Sequence, residues 1–242
     1  KVEVTVHDND VAAVVAGPSR INVSESGEAN SYNVTLATKP IRNDVLVQIF
    51  TDGHIASVVP AELSFSVVTW NVPQVVVVQA VDNFVDEGLT HGGTVWHTVS
   101  SLESKYDGII VPNVTLTVID DDVAGITLSM VSVSISEDGD YAVYHVKLDS
   151  EPRAAVEVHL GAAPGDQVAT DPSSLTFNAS TWYAEQPVRI TALDDSLAEG
   201  LHSVVVTHTA NRTDEMFLGV QVNLTATLAD NDVAGVLGTK AS

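Results

Sequence analysis

The chain aligns with itself when shifted by about 112 residues, and the match runs through nearly the whole sequence. One junction occurs three times: Val6-His7-Asp8-Asn9-Asp10-Val11-Ala12, Val118-Ile119-Asp120-Asp121-Asp122-Val123-Ala124-Gly125 and Leu228-Ala229-Asp230-Asn231-Asp232-Val233-Ala234-Gly235. Landmarks between the junctions agree as well. Ser24-Glu25-Ser26-Gly27 matches Ser136-Glu137-Asp138-Gly139, and Leu63-Ser64-Phe65 followed by Trp70 matches Leu175-Thr176-Phe177 followed by Trp182. Twelve residues beyond each Trp comes an acidic loop, Asp82-Asn83-Phe84-Val85-Asp86-Glu87-Gly88 in one copy and Asp194-Asp195-Ser196-Leu197-Ala198-Glu199-Gly200 in the other. At 242 residues, the repeat favours two ordinary domains over one large one, each long enough to bury a core.

Valine dominates the apolar residues, and Thr and Ser are abundant, a composition that suits pleated, half-buried strands and predicts very little helix. Each unit reads as about seven short strands between turn residues. The alternation leading into the second junction puts Val114, Leu116 and Val118 inward and Asn113, Thr115 and Thr117 outward. Unit length and strand spacing fit an immunoglobulin-like sandwich. Phe65, Trp70, Phe177 and Trp182 are expected to plug its core or edge, with ligand stacking the lesser alternative.

The Ser-Glu-x-Gly start, the Leu-x-Phe…Trp segment, the Asp-x-x-x-x-Glu-Gly loop and the terminal Asp-x-Asp-Val-Ala-Gly together resemble Calx-β modules, over residues 11 to 234. Modules of that kind occur in sodium/calcium exchangers, an integrin β subunit and giant surface adhesins. The fold expected is all-β: two tandem immunoglobulin-like, Calx-β-type sandwiches preceded by an orphan N-terminal strand. The register gives residues 1–10 as the terminal strand of a preceding unit or a donor strand, 11–122 and 123–234 as the two sandwiches, and 235–242 as a tail. The chain is thus expected to be either an excerpt of a longer array or a subunit joined to a neighbouring copy by strand addition. The second unit is expected to own its last strand, which argues against a vacancy for a donor.

Ten Lys+Arg against 32 Asp+Glu leave a formal charge of −22, which repels nucleic acid and anionic lipid surfaces and attracts cations. With no cysteine, a disulfide framework, a thiolate metal site and a Cys nucleophile are all unavailable. No apolar run reaches the roughly 18 to 20 residues of a membrane span. His7, His54, His91, His97, His145, His159, His202 and His208 show no ligand spacing such as His-Glu-x-x-His, and isolated strand histidines are expected at the surface. No nucleophile elbow, P-loop or dinucleotide fingerprint is present. Paired carboxylates can serve a glycosidase, but pairs recurring in every repeat fit metal binding or structure better than catalysis. The expectation is that the chain is not an enzyme.

Calcium takes six to eight hard oxygen ligands and relieves the repulsion of clustered carboxylates. The Calx-β resemblance implies a first calcium site from Glu25, Asp52, Asp82, Asp86, Glu87, Asp120, Asp121 and Asp122, and a second from Glu137, Asp166, Asp194, Asp195, Glu199, Asp230 and Asp232. The copies differ: Asn83 stands opposite Asp195, Ala198 opposite Asp86, and Asn231 opposite Asp121. The alternative is that Asp-Asn-Asp is a polar turn closing a strand, held by Asx hydrogen bonds.

Six Asn-x-Ser/Thr sequons occur, at Asn22, Asn33, Asn113, Asn178, Asn211 and Asn223, where chance predicts about two. Asn113 and Asn223 occupy the same place in the two units, on the outer face. Together these features suggest an extracellular or cell-surface, N-glycosylated structural or adhesive repeat protein, building a rod or filament and stiffened by calcium. A calcium-binding regulatory module pair is the alternative.

Overall fold

The computed structural model describes residues 1–5, 7, 9–163, 167–211 and 213–235. These residues are all-β, with no helix among them and so none long and apolar enough to cross a membrane. Two compact units emerge. The first comprises Lys1–Asn83 and Glu87–Asp121; the second takes Phe84–Asp86 and the chain from Asp122 onward.

The first unit contains β1 (Val14–Gly17), β2 (Arg20–Ser24), β3 (Asn30–Leu36), β4 (Val45–Thr51), β5 (Ala56–Val59), β6 (Glu62–Phe65), β7 (Gln74–Ala80), β8 (Thr90–Ser101) and β9 (Val114–Ile119). They form a four-stranded sheet, β1-β3-β7-β5, and a five-stranded sheet, β2-β9-β8-β4-β6. The second unit repeats this with β10 (Ile126–Leu128), β11 (Ser132–Ser136), β12 (Tyr141–Leu148), β13 (Val156–Gly161), β14 (Val168–Asp171), β15 (Ser174–Phe177), β16 (Gln186–Ala192), β17 (His202–Ala210) and β18 (Gln221–Ala229). Its sheets run β10-β12-β16-β14 and β11-β18-β17-β13-β15.

Nine strands per unit stand where about seven were expected, because two of the seven break and change sheets. β1 pairs antiparallel with β3, whereas β2, three residues on, pairs parallel with β9 in the opposite sheet. β5 and β6 divide in the same way around Pro60, and β14 and β15 around Pro172. A proline carries no N–H to continue a ladder, so the strand ends there and its sequel joins the facing sheet. Between β10 and β11 the same break occurs at Ser129-Met130-Val131, without a proline.

Alternation fixes which face is buried. Val114, Leu116 and Val118 are inside, as are Leu224, Ala226 and Leu228 at the matching strand, while Asn113 and Asn223 face out. Phe65 and Phe177 are fully buried. Trp70 and Trp182 lie half-buried against their cores, and each offers its carbonyl to the last residue of a strand, Leu36 and Leu148, at 2.9 Å. The aromatic positions are therefore packing residues. Ahead of Val14 the described residues carry no strand pairing.

Candidate metal centres

The parallel pairing of β2 with β9 and of β11 with β18 determines where the acidic motifs meet. Parallel strands end at the same edge of the sandwich, so the Ser-Glu-x-Gly motif after β2 arrives beside the junction acids after β9. The Glu25 amide donates to the Ile119 carbonyl at 3.0 Å, and the Glu137 amide to the Ala229 carbonyl at 3.1 Å. β8 begins at this edge too, with Thr90 opposite Ile119, which brings the loop before it into the same corner. The chain then leaves the corner through Gly27 (φ 100°) or Gly139 (φ 94°), left-handed conformations that glycine adopts without the Cβ penalty.

In the first unit Glu25 is only 4 % exposed. Its Oε1 accepts from Asn83 Nδ2 at 3.2 Å and lies 3.3 Å from His91 Nε2, while its Oε2 has no hydrogen-bond partner. Glu87 Oε2 stands 3.0 Å from the same His91 nitrogen. The Glu87 amide donates to Asp120 Oδ2 at 2.6 Å. Two overlapping groups result, in each of which the ligating atoms lie within 4.8 Å of one another: Glu25, Glu87 and His91, and Glu25 with Asp120 and Asp121. Burial pushes the Glu25 carboxyl above the ordinary carboxylate range, with Asp120 and Glu87 adding to the rise and His91 opposing it.

In the second unit Glu137 is equally hidden, at 4 % exposure, and neither of its oxygens accepts a well-formed hydrogen bond. It groups with Asp194 and Asp232, again within 4.8 Å. Its carboxyl is raised first by desolvation and then by Asp230, Asp195 and Asp194, which the Asn231 amide offsets in part. Asp232 is raised as well, by burial and the same acids. Asp230 goes the opposite way. Its Oδ2 accepts from the Glu199 and Gly200 amides at 2.5 and 2.6 Å and its Oδ1 from the Asp232 amide at 2.7 Å, and these bonds, Gly200's foremost, hold its carboxyl below the usual range. Asp230 is the clamp of the polar turn, which matches the Asx alternative for this one residue.

Several of the other expected ligands lie outside these groups. Asp52 is exposed and caps its own turn, its Oδ1 accepting from the His54 amide at 3.0 Å. Thr51 pairs with Val95, so Asp52 stops about four residues short of the Thr90 level, on the order of 14 Å of strand at ~3.4 Å per residue. Asp82 and Glu199 are exposed and lie outside the groups. Asp195 is tied to the Leu197 amide and to Gln167 Nε2. Asp86 and Asp122 belong to the second compact unit, where Asp86 Oδ2 accepts from the Ala124 amide at 2.7 Å. Asp166 lies outside the described residues.

Sequence reasoning overlooked His91, because a shift of 112 residues sets it against Ser203, whereas the ladders set it level with His202, the two lying opposite Val118 and Leu228. The expectation of surface histidines also fails at His97 and His208, which are buried against Tyr32 and Tyr144. Their signal was there: the tyrosines are 112 residues apart and the histidines 111.

The oxygen-rich donor sets suit a hard divalent cation, and the unsatisfied oxygens of Glu25 and Glu137 are the feature such an ion would complete. No family model and no curated protein matches the chain. Among solved structures it is similar to CBD12 from CALX1.2 (14 % identity, 88 % of this chain and 98 % of that one, TM-score 0.36). It is similar to the calcium binding domain CBD12 of CALX1.1 (15 %, 88 % and 99 %, TM-score 0.37) and to domains 4 and 5 of the S-layer protein SbsC (14 %, 63 % and 69 %, TM-score 0.32). The sandwich assignment rests on the strand order of the chain's own sheets.

Proposed function

We propose that this chain is a pair of calcium-binding structural modules of an extracellular, N-glycosylated adhesive or scaffolding protein, without catalytic activity. One observation carries the calcium reading: in each unit a glutamate more than nine-tenths buried, beside further carboxylates, has oxygen that no donor satisfies, Oε2 of Glu25 and both oxygens of Glu137. A buried anion without a partner is costly, and three acids within a few ångströms add repulsion, so a divalent ion returns to the fold what these groups withhold. Glu25, Asp120 and Asp121 would hold the ion in the first unit, and Glu137, Asp194 and Asp232 in the second, with water completing six or more oxygens. Duplication of the site in both modules fits a mechanical use better than a single regulatory switch.

Calorimetry at constant ionic strength tests this. Calcium binding to both units is expected, with Glu137→Gln removing only the second unit's share. No heat, and no change in Tm at millimolar calcium, would discard the reading.

A further inference from the structure

The histidine in the first unit's acidic corner has no use in an all-oxygen calcium site. Glu25, Glu87 and His91 form a group of their own, two carboxylates and an imidazole, all from the first unit. Calcium has no preference for nitrogen, whereas one imidazole with two carboxylates is a donor set suited to Zn²⁺ and its first-row neighbours. The spacing agrees. Bonds of about 2.0–2.1 Å arranged tetrahedrally place neighbouring ligand atoms ~3.3 Å apart, and His91 Nε2 lies 3.3 Å from Glu25 Oε1 and 3.0 Å from Glu87 Oε2.

A second observation separates this corner from an ordinary acidic loop. The Glu25 side chain is 1 % exposed and its Oε2 has no hydrogen-bond partner. Asn83 Nδ2 holds Oε1 from the side, orienting the carboxylate as an outer partner orients a metal ligand. His91 remains 18 % exposed, so an ion has a way in.

We propose that the first unit carries a transition-metal site made by Glu25, Glu87 and His91, which shares Glu25 with the calcium group and so excludes calcium from it when filled. The second unit has His202 at the matching register, opposite Leu228 as His91 is opposite Val118, but its Nδ1 lies 3.0 Å from the Gly200 carbonyl and it joins no such group among the described residues. The two modules therefore differ in metal selectivity while sharing a fold.

The test titrates Zn²⁺ into the chelator-treated full chain by calorimetry and records the visible spectrum with Co²⁺. One tight site per chain is expected, with a tetrahedral nitrogen–oxygen cobalt spectrum and weaker zinc binding as calcium is added. His91→Gln keeps the size and hydrogen-bonding capacity and is expected to weaken zinc at least about tenfold while calcium binding persists. Glu87→Gln should weaken zinc in the same direction, and circular dichroism confirms that both variants are folded. Zinc binding unchanged in His91→Gln would overturn the proposal. So would a His91→Gln protein of lower Tm and unaltered zinc affinity, since His91 would then be a salt-bridge partner of the two glutamates and nothing more. Absence of calcium binding in the unmodified chain, with zinc bound there and lost in His91→Gln, would count against the calcium reading alone.

Discussion

Each core contains one polar pair in otherwise apolar surroundings. Tyr32 Oη meets His97 Nε2 at 2.9 Å, and Tyr144 Oη meets His208 Nε2 at 2.7 Å, with the rings edge to face in both. Neither Nδ1 makes a hydrogen bond of good geometry. Burial lowers both imidazoles below their ordinary value of 6.5 and raises both phenols. Removing one partner leaves the other buried and unsatisfied, so Tyr144→Phe should cost about 1–3 kcal/mol in urea unfolding at pH 7, and adding His208→Leu should recover part of it. The pH dependence has a definite sign. A lowered imidazole pKa means that the unfolded chain takes up protons first, so this contribution is complete above about 6.5 and is lost as pH falls toward the folded value. His208→Leu should flatten the decline below pH 6.5; an unchanged slope would show that the pair does not cause it. Glu25 and Glu137 oppose this trend, because raised carboxyls favour the folded state as pH falls.

At the level of strands and loops, the same device closes the end of each sandwich away from the acidic corner. Asp214, in the loop after β17, accepts from the Arg153 and Ala154 amides at 2.6 and 3.1 Å; Glu103, in the loop after β8, accepts from the Arg42 and Asn43 amides at 2.5 and 2.9 Å. Asp214 is buried, so Asp214→Ala should cost ~2 kcal/mol by depriving two amides of their acceptor. Glu103→Ala should cost less, its site being more open to water. Equal Tm for Asp214→Ala and the unmodified chain would refute the clamp. These elements also show what was legible in the sequence. The alternation of Val114, Leu116 and Val118 set the buried face, and the Ser-Glu-x-Gly and Asp-x-Asp motifs lie together as the repeat suggested. Asp52 misled because its height along the sheet depends on how far β8 runs past β4, a register that spacing along the chain does not express. His91 was missed for a related reason: β8 and β17 are offset by one residue from the 112-residue repeat, so a constant shift sets it against Ser203 and hides its match with His202.

Across the whole chain, −22 charges and two open-edged sandwiches pose one problem, keeping acidic modules soluble without letting their sheet edges pair with other chains. The sequons bear on it through their positions. Asn22 lies on β2, at the edge of its five-stranded sheet, and Asn178 directly follows β15, the edge strand of the corresponding sheet. Both are exposed, as are Asn33, Asn113 and Asn223, whereas Asn211 is half-buried. A glycan at Asn22 or Asn178 would screen the edge against strand addition by charge-free bulk, which the few basic residues available could not do by repulsion. After secretion from a eukaryotic host, glycosidase treatment is therefore expected to lower the mass, and the Asn22→Gln/Asn178→Gln variant should retain its Tm while associating at lower concentration in sedimentation. Glycans present without any change in association would leave their shielding role unsupported, and no mass change on treatment would remove it altogether.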